Sequence, residues 1–286
     1  MYAIGDSYFA GSGIGKSGTW VNQIGDKYGM HYVNYGIGGS TVSDYVTTNN
    51  PMCVRFKDME KQDADIILLE GGRNDRTKEV PIGTNDSKDT KTFKGALNVM
   101  IDTMFQTYPN AMIILVTPWY TTGKVAATGH TNITYADAMR DLVAYRNDPK
   151  LVCLYAADPE ATGVNMNDAE FRAKYSIAAN DVSHLNNAGM DLVLPYMEKF
   201  VAEAYAKYRG LNLDGTDPNA PVETTTPAED TNTPTDETTA EVPTVDETTA
   251  ETKTEKKGCG GFAIGAQVVA VLVSVFGVAV IAKKKF

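Results

Sequence analysis

Tyr2-Ala3-Ile4-Gly5-Asp6-Ser7 decides how this chain reads. The first three residues look like the end of a buried strand, and Gly5-Asp6-Ser7 like the sharp turn after it. A serine on such a turn carries its hydroxyl at the rim of the sheet, where open α/β sheets bind ligands. The geometric logic is that of a nucleophile elbow, with a different motif. A serine hydroxyl is a poor nucleophile until a base takes its proton, and the chain has only 3 histidines. His184 alone has a carboxylate three residues upstream, in Asp181-Val182-Ser183-His184. If that loop turns helically, both side chains share a face. Asp181 then accepts the Nδ1 proton and leaves Nε2 free as the base toward Ser7. His31 and His130 have no comparable carboxylate and read as structural or exposed.

Outward from the turn, strand-like and helix-like segments alternate. Residues 8–18 are rich in Gly and Ser and read as a loop. Thr19 reads as the N-cap of a helix to about residue 28, with Trp20, Ile24 and Tyr28 on one face. His31-Tyr32-Val33 is a second short strand, and residues 42–48 read as a helix stopped by Asn49-Asn50-Pro51. Residues 65–70 form an apolar run with short polar edges, the pattern of a strand buried on both faces. Residues 76–90 are a polar loop. Phe93, Leu97, Met100, Ile101, Met104 and Phe105 make a helical stripe over residues 92–108. Strands at 111–116 and 151–154, helices at 133–146 and 168–175, and a last helix from Asn186 or Asn187 to about residue 208 complete the pattern. Five strands alternating with helices imply a three-layer α/β/α sandwich around a mostly parallel five-stranded sheet.

Four short blocks, each after a strand-like run or on a late loop, then stand in order. They are Gly5-Asp6-Ser7, Asn34-Tyr35-Gly36-Ile37-Gly38-Gly39, Gly72-Arg73-Asn74-Asp75, and Asp181-Val182-Ser183-His184 followed by Leu185-Asn186-Asn187-Ala188-Gly189. Singly they are weak; together they carry weight, because element order and motif position agree. Over residues 1–209 the chain resembles the SGNH (GDSL-type) hydrolases. That resemblance implies Ser7 as nucleophile, His184 as base and Asp181 as its orienter. The implied oxyanion donors are the Ser7 and Gly39 backbone N–H groups and the Asn74 side-chain amide. Arg73 fills a position that varies in the family. Asp6 and Asp75 read as loop braces. Tyr8, Phe9, Trp119 and Tyr120 either line an acyl or sugar pocket or pack in the core; Tyr8, Arg73 and Trp119 are carried forward as candidate substrate contacts. The reaction implied is acyl transfer through an acyl-enzyme, on ester substrates. Family members act on acetylated polysaccharides, lipid esters and thioesters.

Composition narrows the field. The net charge is −10, but residues 211–257 carry −9 of it and Lys283, Lys284 and Lys285 add +3, leaving −4 on residues 1–210. The folded part has no basic patch of the kind nucleic acid needs. Three scattered cysteines make neither a disulfide framework nor a zinc site; Cys53 and Cys153 either pair or stay as buried thiols. No cofactor or metal is expected, so activity should survive EDTA.

Three segments follow: a catalytic domain over residues 1–210, a spacer over 211–257 and an anchor over 258–286. The spacer is rich in Thr, Glu, Asp and Pro, and Asp236-Glu237-Thr238-Thr239-Ala240-Glu241 recurs at Asp246 to Glu251. It lacks the apolar side chains to offset ordering, and its coil-like reach is roughly 40 Å. Residues 262–282 are an uncharged apolar run long enough, at ~30 Å, to cross a bilayer as a helix. The three lysines after it fit the cytoplasmic side, which places the catalytic domain outside. An exported domain needs a signal peptide, and none stands before Gly5; the expectation is that it lies upstream of Met1. Cys259, beside the run, is either acylated or a bystander. A tethered exterior esterase suits carbohydrate O-acetyl esters, on acetylated polysaccharide or cell-wall glycan.

Two rivals from other classes stand beside this reading. Ala10-Gly11-Ser12-Gly13-Ile14-Gly15-Lys16-Ser17 fits a relaxed phosphate-loop pattern, but such a loop needs its strand immediately before and its helix immediately after. A non-catalytic surface adhesin on a hydrolase fold is the other.

Overall fold

A computed structural model describes residues 1–219 of the chain. Five parallel strands form one sheet: β1 (Tyr2–Ile4), β2 (Val33–Asn34), β3 (Ile66–Glu70), β4 (Met112–Val116) and β5 (Leu151–Leu154), in the order β2-β1-β3-β4-β5. Every pairing is parallel. The helices are α1 (Ser7–Ala10), α2 (Trp20–Lys27), α3 (Met52–Arg55), α4 (Arg73–Thr77), α5 (Phe93–Thr107), α6 (Asn132–Arg146), α7 (Pro159–Thr162), α8 (Ala169–Tyr175) and α9 (Asn187–Arg209).

Side chains alternate across each strand, so each face of the sheet needs its own cover. On one face Ile4, Ile67, Leu69, Ile113 and Leu115 pack with Phe93, Leu97 and Met100 of α5 and Tyr135 and Met139 of α6. On the other, Ala3, Ile66, Leu68, Met112 and Ile114 pack with Trp20 and Ile24 of α2 and Val193, Met197 and Val201 of α9. Each fully buried side chain of this size contributes about 1.5–3 kcal/mol over exposure. A one-residue slip of β3 or β4 would move its side chains to the opposite faces, so the register is fixed. The result is the expected three-layer α/β/α sandwich, with the sheet wholly parallel.

Helix boundaries follow their caps. The side chains of Thr19, Thr92, Asp168 and Asn186 accept backbone N–H bonds at the starts of α2, α5, α8 and α9, as Thr and Asx residues do at N-caps. The helix expected over residues 42–48 is absent. The N–H groups of Val42 and Ser43 go to the Asp75 carboxylate (2.8 and 3.1 Å). The carbonyls of Thr41 and Val42 accept from Met52 and Cys53. Distant partners thus hold the backbone out of a local ladder, and the helix forms after Pro51 instead, as α3. The second strand begins at Val33 rather than His31, and a short helix, α4, occupies the start of the expected loop. Cys53 and Cys153 are both unpaired thiols, the first buried and the second partly so.

The strand order sets the site. From β1 the chain steps to β2 on one side, and β3, β4 and β5 lie on the other. In open α/β sheets a ligand crevice lies at the carboxyl ends of the strands where the order reverses. β1, β2 and β3 lie side by side there, and each runs into one of the glycine-bearing blocks. Among the described residues no helix is long and apolar enough to cross a membrane. The apolar run at 262–282, Cys259, and nearly all of the acidic spacer lie outside the described residues.

Candidate active site

Ser7 is the first residue of α1, immediately past the turn that ends β1. Asp6 is the N-cap and accepts from the Tyr8 N–H (3.0 Å). Gly5 is required by close approach: a Cβ there would sit 2.7 Å from both Glu70 Oε2 and the Phe9 ring. The Asn34 block runs alongside, with the Tyr35 and Ile37 N–H groups donating to the Ala3 and Gly5 carbonyls. Gly39 in the same block has φ +79°, a conformation that glycine adopts without strain.

The base arrives from the other end of the chain. His184 Nε2 lies 2.9 Å from Ser7 Oγ, and His184 Nδ1 lies 2.9 Å from Asp181 Oδ2. The Asp181 loop is not helical. Asp181 Oδ1 instead accepts from the Ser183 and His184 N–H groups, both at 2.7 Å, an Asx-type turn. That turn brings carboxylate and ring together by a different route from a helical face. Its flank is held by an antiparallel bridge between Ser176 and Leu185. The Tyr8 ring stands edge-on to the His184 ring, centroids 6.1 Å apart. Burial raises the Asp181 pKa, but bonds from the His184 ring and the two N–H groups outweigh it and hold the carboxyl below its ordinary value. An ionised Asp181 fixes the proton on Nδ1 and leaves Nε2 as acceptor toward the serine.

The expected oxyanion donors divide into two kinds. The Ser7 N–H, at the first position of a helix, has no intrahelical acceptor, and the Gly39 N–H has no acceptor among the described residues. The Asn74 amide is committed, donating to Asp6 Oδ2 (2.8 Å) and the Ser40 carbonyl (3.0 Å). Asp6 and Asp75 are the loop braces the sequence indicated, both fully buried.

Beneath the turn lies a buried cluster of ionisable side chains that the sequence did not reveal. Glu70 ends β3, and its Oε2 accepts from the Asp6 N–H (2.9 Å). The Arg55 guanidinium donates to the Gly5 carbonyl (2.8 Å), the Tyr35 carbonyl (2.6 Å) and Ser40 Oγ (3.2 Å). Burial, then the Asp6 charge, pushes Glu70 well above the carboxylate range. Burial likewise raises Asp6 and lifts Asp75 to about 7, while it lowers Arg55 to about 10. The only sequence signal was a glutamate closing an apolar strand.

The candidate substrate contacts fare differently. Tyr8 and Trp119 are 4% and 2% exposed and stack at 5.6 Å, while Phe9 is fully buried, so core packing accounts for Phe9. Arg73 is half-buried and its Nε donates to Ser183 Oγ (2.9 Å). The phosphate-loop alternative does not hold. Residues 10–17 follow α1 rather than a strand, Lys16 opens a single 3₁₀ turn, and its Nζ is spent on the Asn34 carbonyl (2.6 Å).

The profile of the GDSL-like lipase/acylhydrolase family matches residues 3–192. The chain belongs to this family of ester hydrolases. No curated protein matches it significantly. One solved structure is 26% identical with TM-score 0.59, over 68% of this chain and 92% of its own. A protein from Lactobacillus plantarum is 23% identical with TM-score 0.59, over 71% and 95%. A G-D-S-L family protein from Desulfitobacterium hafniense DCB-2 is 20% identical with TM-score 0.50, over 68% and 95%. The last two speak to the fold alone.

Proposed function

We propose that this ester hydrolase is a serine esterase working through Ser7, His184 and Asp181. The observation that carries the reading is the unbroken relay from Asp181 through His184 to Ser7, with both contacts at 2.9 Å. Ser7 Oγ attacks the ester carbonyl as His184 Nε2 takes its proton. The Ser7 and Gly39 N–H groups receive the developing oxyanion. Asn74 joins them by exchanging its bond to the Ser40 carbonyl for one to the oxyanion. His184 then protonates the departing alcohol, and water, activated by the same ring, releases the acid. Each oxyanion donor is worth about 2.7–4 kcal/mol of barrier.

The substrate we propose is an O-acetyl ester on extracellular carbohydrate, acetylated polysaccharide or cell-wall glycan. The enzyme is held at the surface by the apolar run at residues 262–282 with its catalytic domain outside. Support for the tether comes from sequence: an uncharged run followed by three lysines and preceded by an acidic Thr- and Pro-rich spacer. The adhesin alternative is disfavoured by membership in a hydrolase family and by a complete relay. Turnover of p-nitrophenyl esters of increasing chain length, alongside acetylated xylan, tests the proposal. Short-chain and xylan deacetylation, abolished in Ser7→Ala, is expected. A preference for long acyl chains would defeat the carbohydrate reading, and no turnover by the folded protein would defeat the esterase.

A further inference from the structure

α4 carries two arginines beside the site. Arg73 and Arg76 are three residues apart, so they rise from neighbouring positions on one side of the helix. Among the described residues neither forms an ion pair with a carboxylate. Arg73 donates Nε to Ser183 and Nη1 to Thr77, which leaves Nη2 open. Arg76 donates Nη1 to the Gly123 carbonyl (2.7 Å), and its buried Nε has no acceptor. Burial, then the charge of Arg73, lowers the Arg76 pKa.

Two more buried donors join them. The Tyr8 hydroxyl and Trp119 Nε1 both lack partners, on rings that touch at 5.6 Å. The Tyr8 phenol lies within electrostatic reach of both guanidiniums. The carboxylates nearby, Asp6 and Glu70, lie buried under the turn, where Asp6 accepts from Tyr8 N–H and Asn74 and Glu70 accepts from Asp6 N–H. Arg73, Arg76, Tyr8 and Trp119 thus each keep a hydrogen without an acceptor among the described residues. Buried donors are rarely left unpaired, and guanidinium forks match a carboxylate in shape and charge. The side of the site is also defined. Arg73 binds the residue just before His184, and the Tyr8 ring abuts the His184 ring. His184 is the group that protonates the leaving alcohol, so Arg73 and Tyr8 flank the alcohol half of the ester.

We infer that Arg73, Arg76 and the Tyr8 hydroxyl form an anion subsite beside Ser7, and that the ester cleaved carries a carboxylate on its alcohol side, as an O-acetylated acidic sugar does. This rests on the esterase reading above and narrows its substrate class. Arg73 Nη2 is open to such a group as it stands, whereas the Tyr8 hydroxyl and Arg76 Nε are sealed and meet it only when the bound ester displaces the side chains that cover them.

The test compares 4-acetoxybenzoate with its methyl ester, each kcat/KM divided by that ester's hydroxide-catalysed rate. The wild-type enzyme should favour the carboxylate by about tenfold or more, the equivalent of one charge-assisted hydrogen bond. The preference should shrink as salt is added. Arg76→Gln should lower the carboxylate-to-methyl ratio about tenfold, Arg76→Lys should restore part of it, and Tyr8→Phe, which removes one oxygen, should lower it several-fold. Equal handling of both esters by the wild type, or an unchanged ratio in folded Arg76→Gln and Tyr8→Phe, would overturn the subsite while leaving the esterase standing. Hydrolysis of neither ester would sink both.

Discussion

The two halves of the site are built on different principles. The nucleophile stands on the core: its turn closes a buried strand and is underpinned by Asp6, Glu70, Asp75 and Arg55. The base stands on a surface loop, where Val182 is 42% exposed. That loop is held by one isolated bridge, the Asx-type turn and a side-chain bond from Arg73. The difference teaches that positional accuracy can come from burial on one side and from a few local hydrogen bonds on the other. It also implies that damage to the first half costs stability and activity together, whereas damage to the second costs mainly activity.

The largest expected effect is on chemistry. Ser7→Ala or His184→Ala should each lower kcat by about 10⁶, since members of such a relay act as a unit. Asp181→Asn should cost about 10⁴, with the melting temperature little changed; a large loss of stability there would break the comparison. Asp75→Ala should instead unsettle the fold, by about 1–3 kcal/mol for each of the two N–H groups left unpaired, measured by urea denaturation. Asn74→Ala should lower kcat by about 10²–10³, with a smaller stability loss from its bonds to Asp6 and Ser40.

A pH profile sharpens the contrast further. Asp6, Glu70 and Asp75 hold their protons more tightly in the folded state than in the unfolded chain. Stability should therefore fall as pH rises from the ordinary carboxylate range, and for Asp75 the decline runs from 3.8 to about 7. Asp181 has the opposite sign. Its contribution is present above its ordinary value of 3.8 and is lost as pH falls through its lowered one. Thermal melts from pH 4 to pH 8 should show the decline on the alkaline side, flattened in Glu70→Gln. Smallest of all, Ser183→Ala frees Arg73 from the base loop and should lower kcat only several-fold.

Much of this was legible in the sequence because its signals are local. The five strands announce themselves as apolar runs, and Thr19, Thr92, Asp168 and Asn186 mark helix starts by a chemistry that needs no tertiary partner. Asp181 and His184 meet across three residues, so their pairing could be read, although an Asx-type turn rather than a helical one joins them. What stayed hidden depends on distant partners. Residues 42–48 look helical until Asp75 takes their N–H groups. Glu70 and Arg55 look like ordinary polar edges until the sheet brings both under Gly5. The arginines of α4 were visible as residues, but not that neither forms an ion pair among the described residues, since that requires knowing what surrounds them.

The most direct measurement is intact and peptide mass spectrometry after exposure to a fluorophosphonate. The account predicts a single adduct on the peptide bearing Ser7, absent in Ser7→Ala and formed far more slowly in His184→Ala. Folded wild-type protein that takes no label, or takes it on another residue, would contradict it.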